Sequence, residues 1–248
     1  MRKLLPLKAV SHALKSVVNY RAAAMRFGLF WFPLLLVLGL AELLVGVPEP
    51  GQEELGPGNA VQLISAAAKL IGFCALAVSW HRFILRDDIG SPIRIDRQVW
   101  RYIGNSLLII LIVLVPIIIL AVMLALLPPI LSILLVPASL IAAVVAMRLS
   151  IKLPAVALGR TDFSFADAWA VSNGNFWPIA GVVTLNAAVV IGLGFLFLGV
   201  VWVVNSLSPP AMPYVALLVG SVFQLFCTMF NAGIFTSLYG FFVEKREY

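Results

Sequence analysis

Long runs of apolar residues dominate the pattern along this chain. Six of them are long enough for the helix of about 20 residues that crosses the roughly 30 Å hydrocarbon core of a bilayer. Pro128 and Pro129 lie between the third and fourth runs, and a proline pair predicts a tight turn there. The pattern predicts an all-α, polytopic membrane protein whose transmembrane domain covers residues 28–242. The six predicted spans lie near residues 28–47, 60–80, 106–127, 129–147, 177–204 and 214–242.

A shorter periodic segment precedes the first span. Between residues 7 and 18, apolar side chains recur at helical spacing, while Lys8, His12 and Lys15 form the opposite stripe. This pattern is typical of an amphipathic helix that lies on a membrane surface with its lysines facing anionic headgroups. We therefore predict that residues 1–27 form a cytoplasmic segment with an interfacial helix. Its apolar stripe consists of Leu7, Val10, Leu14, Val17 and Val18.

The composition excludes an ordinary water-soluble fold. The chain is 62% hydrophobic and 11% charged, whereas soluble domains average about 45–50% apolar and about 25% charged residues. Its formal net charge of +6 would suggest nucleic acid as the partner of a soluble protein. In a membrane protein the same excess is first a topology signal. We therefore expect no nucleic-acid partner.

The basic and the acidic connections lie on opposite sides of the predicted membrane. Every Lys and Arg other than Lys69 lies in the N-terminal segment, in the second or fourth connection, or in the tail 243–248. The first connection is acidic and contains no base. The positive-inside rule then predicts that both termini are cytoplasmic, with the anionic inner leaflet as a partner. The acidic residues of the first connection are Glu49, Glu53 and Glu54.

Lys69 lies near the middle of the second predicted span. A charged residue there costs at least about 2.5–3.5 kcal/mol on insertion scales, so it needs a partner or a route to water. Glu42, near the outer end of the first span, is the natural partner because the two spans are joined on that side. The two residues could form an ion or proton site. Alternatively, they form a structural pair that holds two helices together, or Lys69 extends outward to water.

Two further patterns lie on helical faces within the spans. A polar seam in span six could line a pore, although interhelical hydrogen bonding is the commoner role of such residues. A stripe of alanines in span four permits the close approach of another helix or another subunit. The polar seam consists of Ser221, Gln224, Thr228 and Asn231, and the alanine stripe of Ala138, Ala142 and Ala146.

The fourth connection carries two candidate contact residues and one local helix signal. Arg148 and Lys152 share a helical face at headgroup level, so with Lys8 and Lys15 they could bind anionic lipid or an acidic partner. They could equally be only the charges that set the topology. The segment Ser164–Asp167 has the form of a capping box and predicts a short helix through Trp169.

The sequence contains no pattern that is typical of an enzyme. His12 and His81 are its two histidines, and there is no HExxH, GxSxG or P-loop motif and no pair of carboxylates at catalytic spacing. Cys74 and Cys227 lie in apolar stretches without further thiols or histidines at metal-binding spacing. We therefore predict a protein that is not an enzyme and has no metal or other cofactor.

Several short segments resemble a known family. They are Arg26 with Pro33, Trp80–Phe83, Arg148–Ala155, Phe163–Trp169 and Asn173–Trp177. Together they are similar to YciC-like families of bacterial multi-pass proteins, in versions found in alphaproteobacteria, and to the membrane region of some glycerophosphodiester phosphodiesterases. The resemblance implies a six-helix inner-membrane bundle and brings no established activity or catalytic residue. The phosphodiesterase domain itself is not in this sequence.

These observations lead to two hypotheses about function. We predict a non-catalytic integral inner-membrane protein, acting as a scaffold or accessory subunit that packs against a larger membrane complex or organises lipid. Its expected partners are membrane lipids and either another membrane protein or further copies of this chain. The alternative is a small transporter or lipid-handling protein that uses Lys69, Glu42 and the polar seam.

Overall fold

The computed structural model describes residues 3–46, 57–91 and 94–246, and every regular element in these ranges is helical. Six of the described helical segments are long and apolar enough to cross a membrane. The predicted class, an all-α multi-pass membrane protein, is confirmed. Arg2 and the acidic residues of the first connection lie outside the described residues; the latter are Glu49, Glu53 and Glu54.

The helices extend beyond the predicted spans at most of their ends. For example, the second helix begins at Arg21 rather than near residue 28, and the fourth begins at Arg97 rather than near residue 106. Hydropathy follows only the part of a helix that suits lipid, whereas backbone hydrogen bonding continues into the flanking polar turns. The helices are α1 Pro6–Asn19, α2 Arg21–Val45, α3 Pro57–Arg86, α4 Arg97–Ala125, α5 Leu135–Leu149, α6 Lys152–Ala157, α7 Phe165–Val171, α8 Phe176–Leu207 and α9 Met212–Phe242.

The six long segments run alternately between two ends of one bundle. We call the end where α3 and α9 finish and α4 and α8 begin the basic end, and the opposite end the far end. Consecutive long helices pack against each other, and α9 also contacts α2 and α3. The largest fully buried side chains lie in the half nearer the basic end, among them Trp80, Phe230 and Tyr239. The apolar core of the bundle is therefore concentrated in that half.

The predicted hairpin of spans three and four is present. A 3₁₀ turn at Pro129–Leu134 follows Pro128 and joins α4 to α5, and the two helices pack together. Pro129 suits the first position of such a turn because it has no backbone N–H to leave unpaired. Between residues 110 and 143 only Leu124 is buried. The far half of this hairpin therefore contributes little to the buried core of the described bundle.

The N-terminal helix differs from its prediction in what it packs against. The helix forms as expected, but its side chains contact α8 and α9 instead of only a lipid surface. Leu7 and Val18, predicted to be in the apolar stripe, are exposed. The face against the bundle is the one that carries the small residues Ala9 and Ala13, because these let two helix backbones approach closely. The buried residues of α1 are Ala9, Val10, Ala13, Ser16 and Val17.

Polar contacts hold α1 in this position. His12 Nδ1 lies 2.9 Å from Ser237 Oγ on α9. Since the Ser237 hydroxyl donates to the Gly233 carbonyl, the histidine nitrogen is the donor of this bond. The backbone N–H of Leu4 donates to Asn175 Oδ1 at 3.0 Å. Burial, together with the nearby charge of Arg246, lowers the pKa of His12, so the docked helix favours the neutral ring.

The close approach of α1 to α9 generates the first prediction. A Cβ added at Gly233 would lie 3.3 Å from Ala13 Cβ and 3.4 Å from the Ala13 backbone, so there is no space for a larger side chain. We expect Gly233→Leu to lower the free energy of unfolding by about 1–3 kcal/mol, as overpacking does. Thermal unfolding in detergent measures this change.

Gly199→Leu provides the matched control, because a Cβ at Gly199 in α8 meets no atom within 4 Å. The control is expected to unfold at or above the wild-type temperature, since leucine has the higher helix propensity. Equal stability of the two variants would contradict the close packing of α1.

Candidate functional site

Glu42 and Lys69 form an ion pair between α2 and α3. The Lys69 ammonium donates to both carboxylate oxygens, with Nζ at 2.7 Å from Oε1 and 2.8 Å from Oε2. Sequence analysis named these two residues as partners, and the structure brings them together. Their side chains are 31% and 24% exposed respectively, so neither is sealed in the protein interior. The pair meets the requirement that a charge within a span has a partner of opposite sign.

The exposed side of this pair faces a cavity of about 600 Å³ between α2, α3 and α9, which we call the vestibule. Its lining includes Leu43 in the last turn of α2 and Pro213 in the first turn of α9, so it lies at the far end of the bundle. Along α9 the lining continues to Gln224, and this distance along the helix is about 16 Å. The vestibule therefore extends along the bundle axis from the far end toward the middle of α9.

A close contact between α2 and α9 bounds the vestibule. A Cβ added at Gly39 would overlap the Cδ1 methyl of Leu217, so a larger residue at this position requires the leucine side chain to shift. The vestibule has both polar and apolar walls. Its polar side chains are Glu42, Gln62, Lys69, Ser221 and Gln224, and its leucines are Leu35, Leu43 and Leu217.

The polar seam on α9 is divided between two cavities. Ser221 and Gln224 line the vestibule. Thr228 and Asn231 line a second cavity of about 460 Å³, nearer the basic end, which we call the inner cavity. The Ser221 and Thr228 hydroxyls donate to carbonyls one turn earlier in α9. These residues therefore do not form one continuous polar path, because hydroxyls satisfied by their own helix need no partner across the bundle.

One member of the polar seam does join two helices. Asn231 Oδ1 accepts a hydrogen bond of 3.0 Å from Asn186 Nδ2 on α8, while Asn231 Nδ2 donates to the Cys227 carbonyl. The interhelical role predicted for the seam thus holds for Asn231. Sequence analysis missed Asn186, because one amide in a long apolar helix gives no indication of its partner.

The inner cavity is mainly apolar and lies between α3, α4, α5 and α9. Cys74, Cys227 and Tyr102 line it, and Ala146 at the basic-end limit of the alanine stripe contributes to one wall. Ala138 and Ala142 are half-buried, farther along α5 toward the far end. Contact of the alanine stripe with another subunit stays a prediction.

A buried hydrogen-bond network lies beyond the inner cavity. His81 Nδ1 is 2.7 Å from Thr236 Oγ1, and His81 Nε2 is 3.2 Å from the Tyr102 hydroxyl. Since Thr236 donates its proton to the Ala232 carbonyl, His81 donates from Nδ1 and accepts from Tyr102 at Nε2. This network joins α3, α4 and α9. The sequence gives no indication of this network, because the partners of His81 are far away in the chain.

Arg82 connects the ends of three helices next to this network. Its Nε donates to the Ala157 carbonyl at 2.9 Å, and its Nη1 lies 2.8 Å from Asp96 Oδ2. Asp96 also accepts hydrogen bonds from the first backbone N–H groups of α4. Partial burial alone would raise the pKa of Asp96, but Arg82 and those N–H groups outweigh it and lower the pKa below its ordinary value. The carboxylate is therefore ionised when it caps α4.

Of the two roles that the sequence allows for Arg148, contact with lipid headgroups or an acidic partner is not open to its buried side chain. Its side chain is buried, with Nε donating to Ser172 Oγ at 2.9 Å and Nη2 to the Trp169 carbonyl at 2.8 Å. The guanidinium also lies 3.5 Å from the centre of the Trp169 ring. The reason is that α7 packs over the end of α5, because the predicted capping box of Ser164 and Asp167 is present and starts that helix.

The other proposed contact residues differ in their exposure. Lys152 is half-buried, with its ammonium 3.9 Å from the centre of the Phe165 ring. Lys8 and Lys15 are exposed on the side of α1 that faces away from the bundle. Binding of anionic lipid by these three lysines stays a prediction.

Known proteins do not add to this description. Neither a protein-family model, nor a curated protein, nor a solved structure matches the chain. In the described part of the chain, no three His, Cys, Asp or Glu side chains come together as metal ligands. The class of the protein, a multi-pass α-helical membrane protein, therefore rests on its own sequence and structure.

The ion pair generates a prediction about stability. Lys69→Met leaves the Glu42 carboxylate without a charged partner, and Glu42→Gln leaves the Lys69 ammonium without a charged partner. We expect each single variant to lose about 1–3 kcal/mol of unfolding free energy, as expected when a polar group loses its partner. The double variant, E42Q/K69M, is expected to lose less than the sum of the two. Chemical unfolding of all four proteins in detergent measures the coupling energy.

A coupling of about 0.5–3 kcal/mol agrees with direct contact. If the two single losses add up to the loss of the double variant, the two charges do not interact.

Proposed function

We propose that this protein is a non-catalytic membrane protein that binds an amphipathic molecule, such as a lipid, in the vestibule. Of the two functions that the sequence allows, this is the lipid-handling or transport alternative. The observation that carries the proposal is that the Glu42–Lys69 pair faces a cavity of about 600 Å³. Cavities that bind small molecules typically have volumes of about 300–1,000 Å³.

The walls of the vestibule support an amphipathic ligand. Gln62, Ser221 and Gln224 line the vestibule together with the ion pair, and Leu35, Leu43 and Leu217 provide apolar surface. A ligand with a polar head and an apolar chain can satisfy both kinds of wall. A pair that served only to hold α2 and α3 together would gain nothing from an adjacent cavity, because solvent weakens an exposed ion pair.

The proposed location is a bacterial inner membrane with the basic end in the cytoplasm. The support is the distribution of Lys and Arg, which favours the cytoplasmic side. In this orientation the vestibule lies toward the periplasmic leaflet. A relationship to YciC-like families stays a proposal, and it fits this location.

Filling the vestibule tests the proposal. Ala216 lines the vestibule on α9, whereas Leu218, two residues away, is half exposed and absent from the lining. We expect wild type and Leu218→Trp to retain a near-stoichiometric amphiphile after detergent purification. Ala216→Trp is expected to retain at least about tenfold less, equivalent to about 1.4 kcal/mol in binding. Mass spectrometry of the organic extract measures the retained molecule.

The proposal is overturned if Ala216→Trp retains as much amphiphile as wild type. It is also overturned if wild type retains none.

A second candidate function is the predicted scaffold or accessory subunit. The observation that favours it is the far half of the α4–α5 hairpin, which leaves Ile118 and Ile141 exposed and Ala138 and Ala142 half-buried. Close packing of small residues is one of the main ways in which membrane helices associate. A partner helix from another membrane protein, or from a second copy of the chain, would cover this surface.

The accessory function predicts that a stoichiometric partner or oligomer is isolated in mild detergent. We expect Ala142→Phe to release it, because the larger side chain prevents close approach at the alanine stripe. Ile118→Phe on the neighbouring helix changes an exposed side chain and provides the comparison. A strictly monomeric wild-type particle, measured by light scattering and mass spectrometry, would exclude this function.

A further inference from the structure

The charge balance of the vestibule restricts the ligands that can bind there. Lys69 and Glu42 are one cation and one anion in mutual contact, and both reach the same cavity. We infer that the ligand is a zwitterion, carrying an ammonium group and a phosphate or carboxylate group in one polar head. This inference rests on the proposed function, and it adds the chemical class of the ligand.

An ionic ligand of only one sign would be rejected by this site. An anion that pairs with Lys69 must displace Glu42, which is then left charged and without a partner inside a span. A cation that pairs with Glu42 leaves Lys69 in the same state. Only 24% of the Lys69 side chain and 31% of the Glu42 side chain are exposed, so water compensates the remaining charge only in part.

A zwitterion avoids that cost. Its anionic group can take the place of Glu42 beside Lys69, while its ammonium group takes the place of Lys69 beside Glu42. The single ion pair is thereby replaced by two, and neither protein charge is left alone. An uncharged polar head leaves the original pair closed and gains only hydrogen bonds, which are weaker between neutral groups than with charged ones.

Two glutamines support this exchange. Gln62 on α3 and Gln224 on α9 both line the vestibule, and within the described part of the chain neither side-chain amide makes a hydrogen bond. A primary amide has both a donor and an acceptor end, so it can bind a phosphate or carboxylate as well as an ammonium group. These side chains can therefore stabilise either half of a zwitterion once the ion pair has opened.

The zwitterion can be the headgroup of a lipid or a free molecule dissolved in water. A competition experiment in detergent distinguishes these two sources. The probes are phosphatidylethanolamine, phosphatidylglycerol and diacylglycerol of identical acyl chains, supplied in equal amounts. Native mass spectrometry counts each bound species. We expect wild type to bind phosphatidylethanolamine at least about tenfold more than either of the others. Glycerophosphoethanolamine, the water-soluble headgroup, is then added as a competitor.

Two variants test whether the ion pair causes this preference. E42Q/K69M has no charges in the vestibule and is expected to bind the three lipids with less than about threefold difference between them. E42K/K69E exchanges the two charges and keeps the pair, so it is expected to retain the preference for phosphatidylethanolamine. Thermal unfolding of each variant establishes that it is folded before binding is measured.

Each outcome has a definite meaning. Displacement of the lipid by glycerophosphoethanolamine supports a water-soluble zwitterion as the ligand, and failure to displace it supports an intact zwitterionic lipid. Equal or stronger binding of phosphatidylglycerol or diacylglycerol to wild type overturns the inference but leaves the proposed function in place. If none of the probes, including glycerophosphoethanolamine, binds to wild type, both the inference and the proposed function are contradicted. Retention of the preference by E42Q/K69M also overturns the inference.

Discussion

The ion pair between Lys69 and Glu42 joins two membrane-spanning helices and also lines the vestibule. A charge within a span needs a partner, and Glu42 provides it by accepting two hydrogen bonds from one ammonium group. This pairing fixes α2 against α3 near the far end. The cavity beside the pair lets the same two charges meet a molecule from outside. The same two residues therefore both stabilise a contact between helices and form part of a candidate binding site.

The two halves of the bundle differ in how their helices are held together. Near the basic end, small residues allow α1 to approach α9, and buried side chains such as His81 and Arg148 connect helices through hydrogen bonds. Toward the far end, the α4–α5 hairpin is almost without buried residues. The basic half of the bundle is therefore held together by close packing and buried hydrogen bonds, whereas the far half of the hairpin contributes few buried contacts.

The sequence predicts the helical segments well because apolar run length and charge placement are local or additive properties. It also predicts the start of α7, since a capping box involves residues only three apart. The Glu42–Lys69 contact could be predicted because the penalty for an unpaired charge leaves few alternatives. The docking of α1, the burial of Arg148 and the His81 network could not, because each depends on residues from helices distant in sequence. The vestibule could not be predicted either, because it forms only where three helices pack together.

The most direct test of the central claim, that the vestibule is a ligand site built on the ion pair, is to determine the structure by electron cryomicroscopy in lipid nanodiscs. The nanodiscs would contain both phosphatidylethanolamine and phosphatidylglycerol. We expect density for a polar headgroup between the Glu42 carboxylate and the Lys69 ammonium, with the two side chains no longer in contact. An empty vestibule in which Nζ and Oε1 remain about 2.7 Å apart would contradict it.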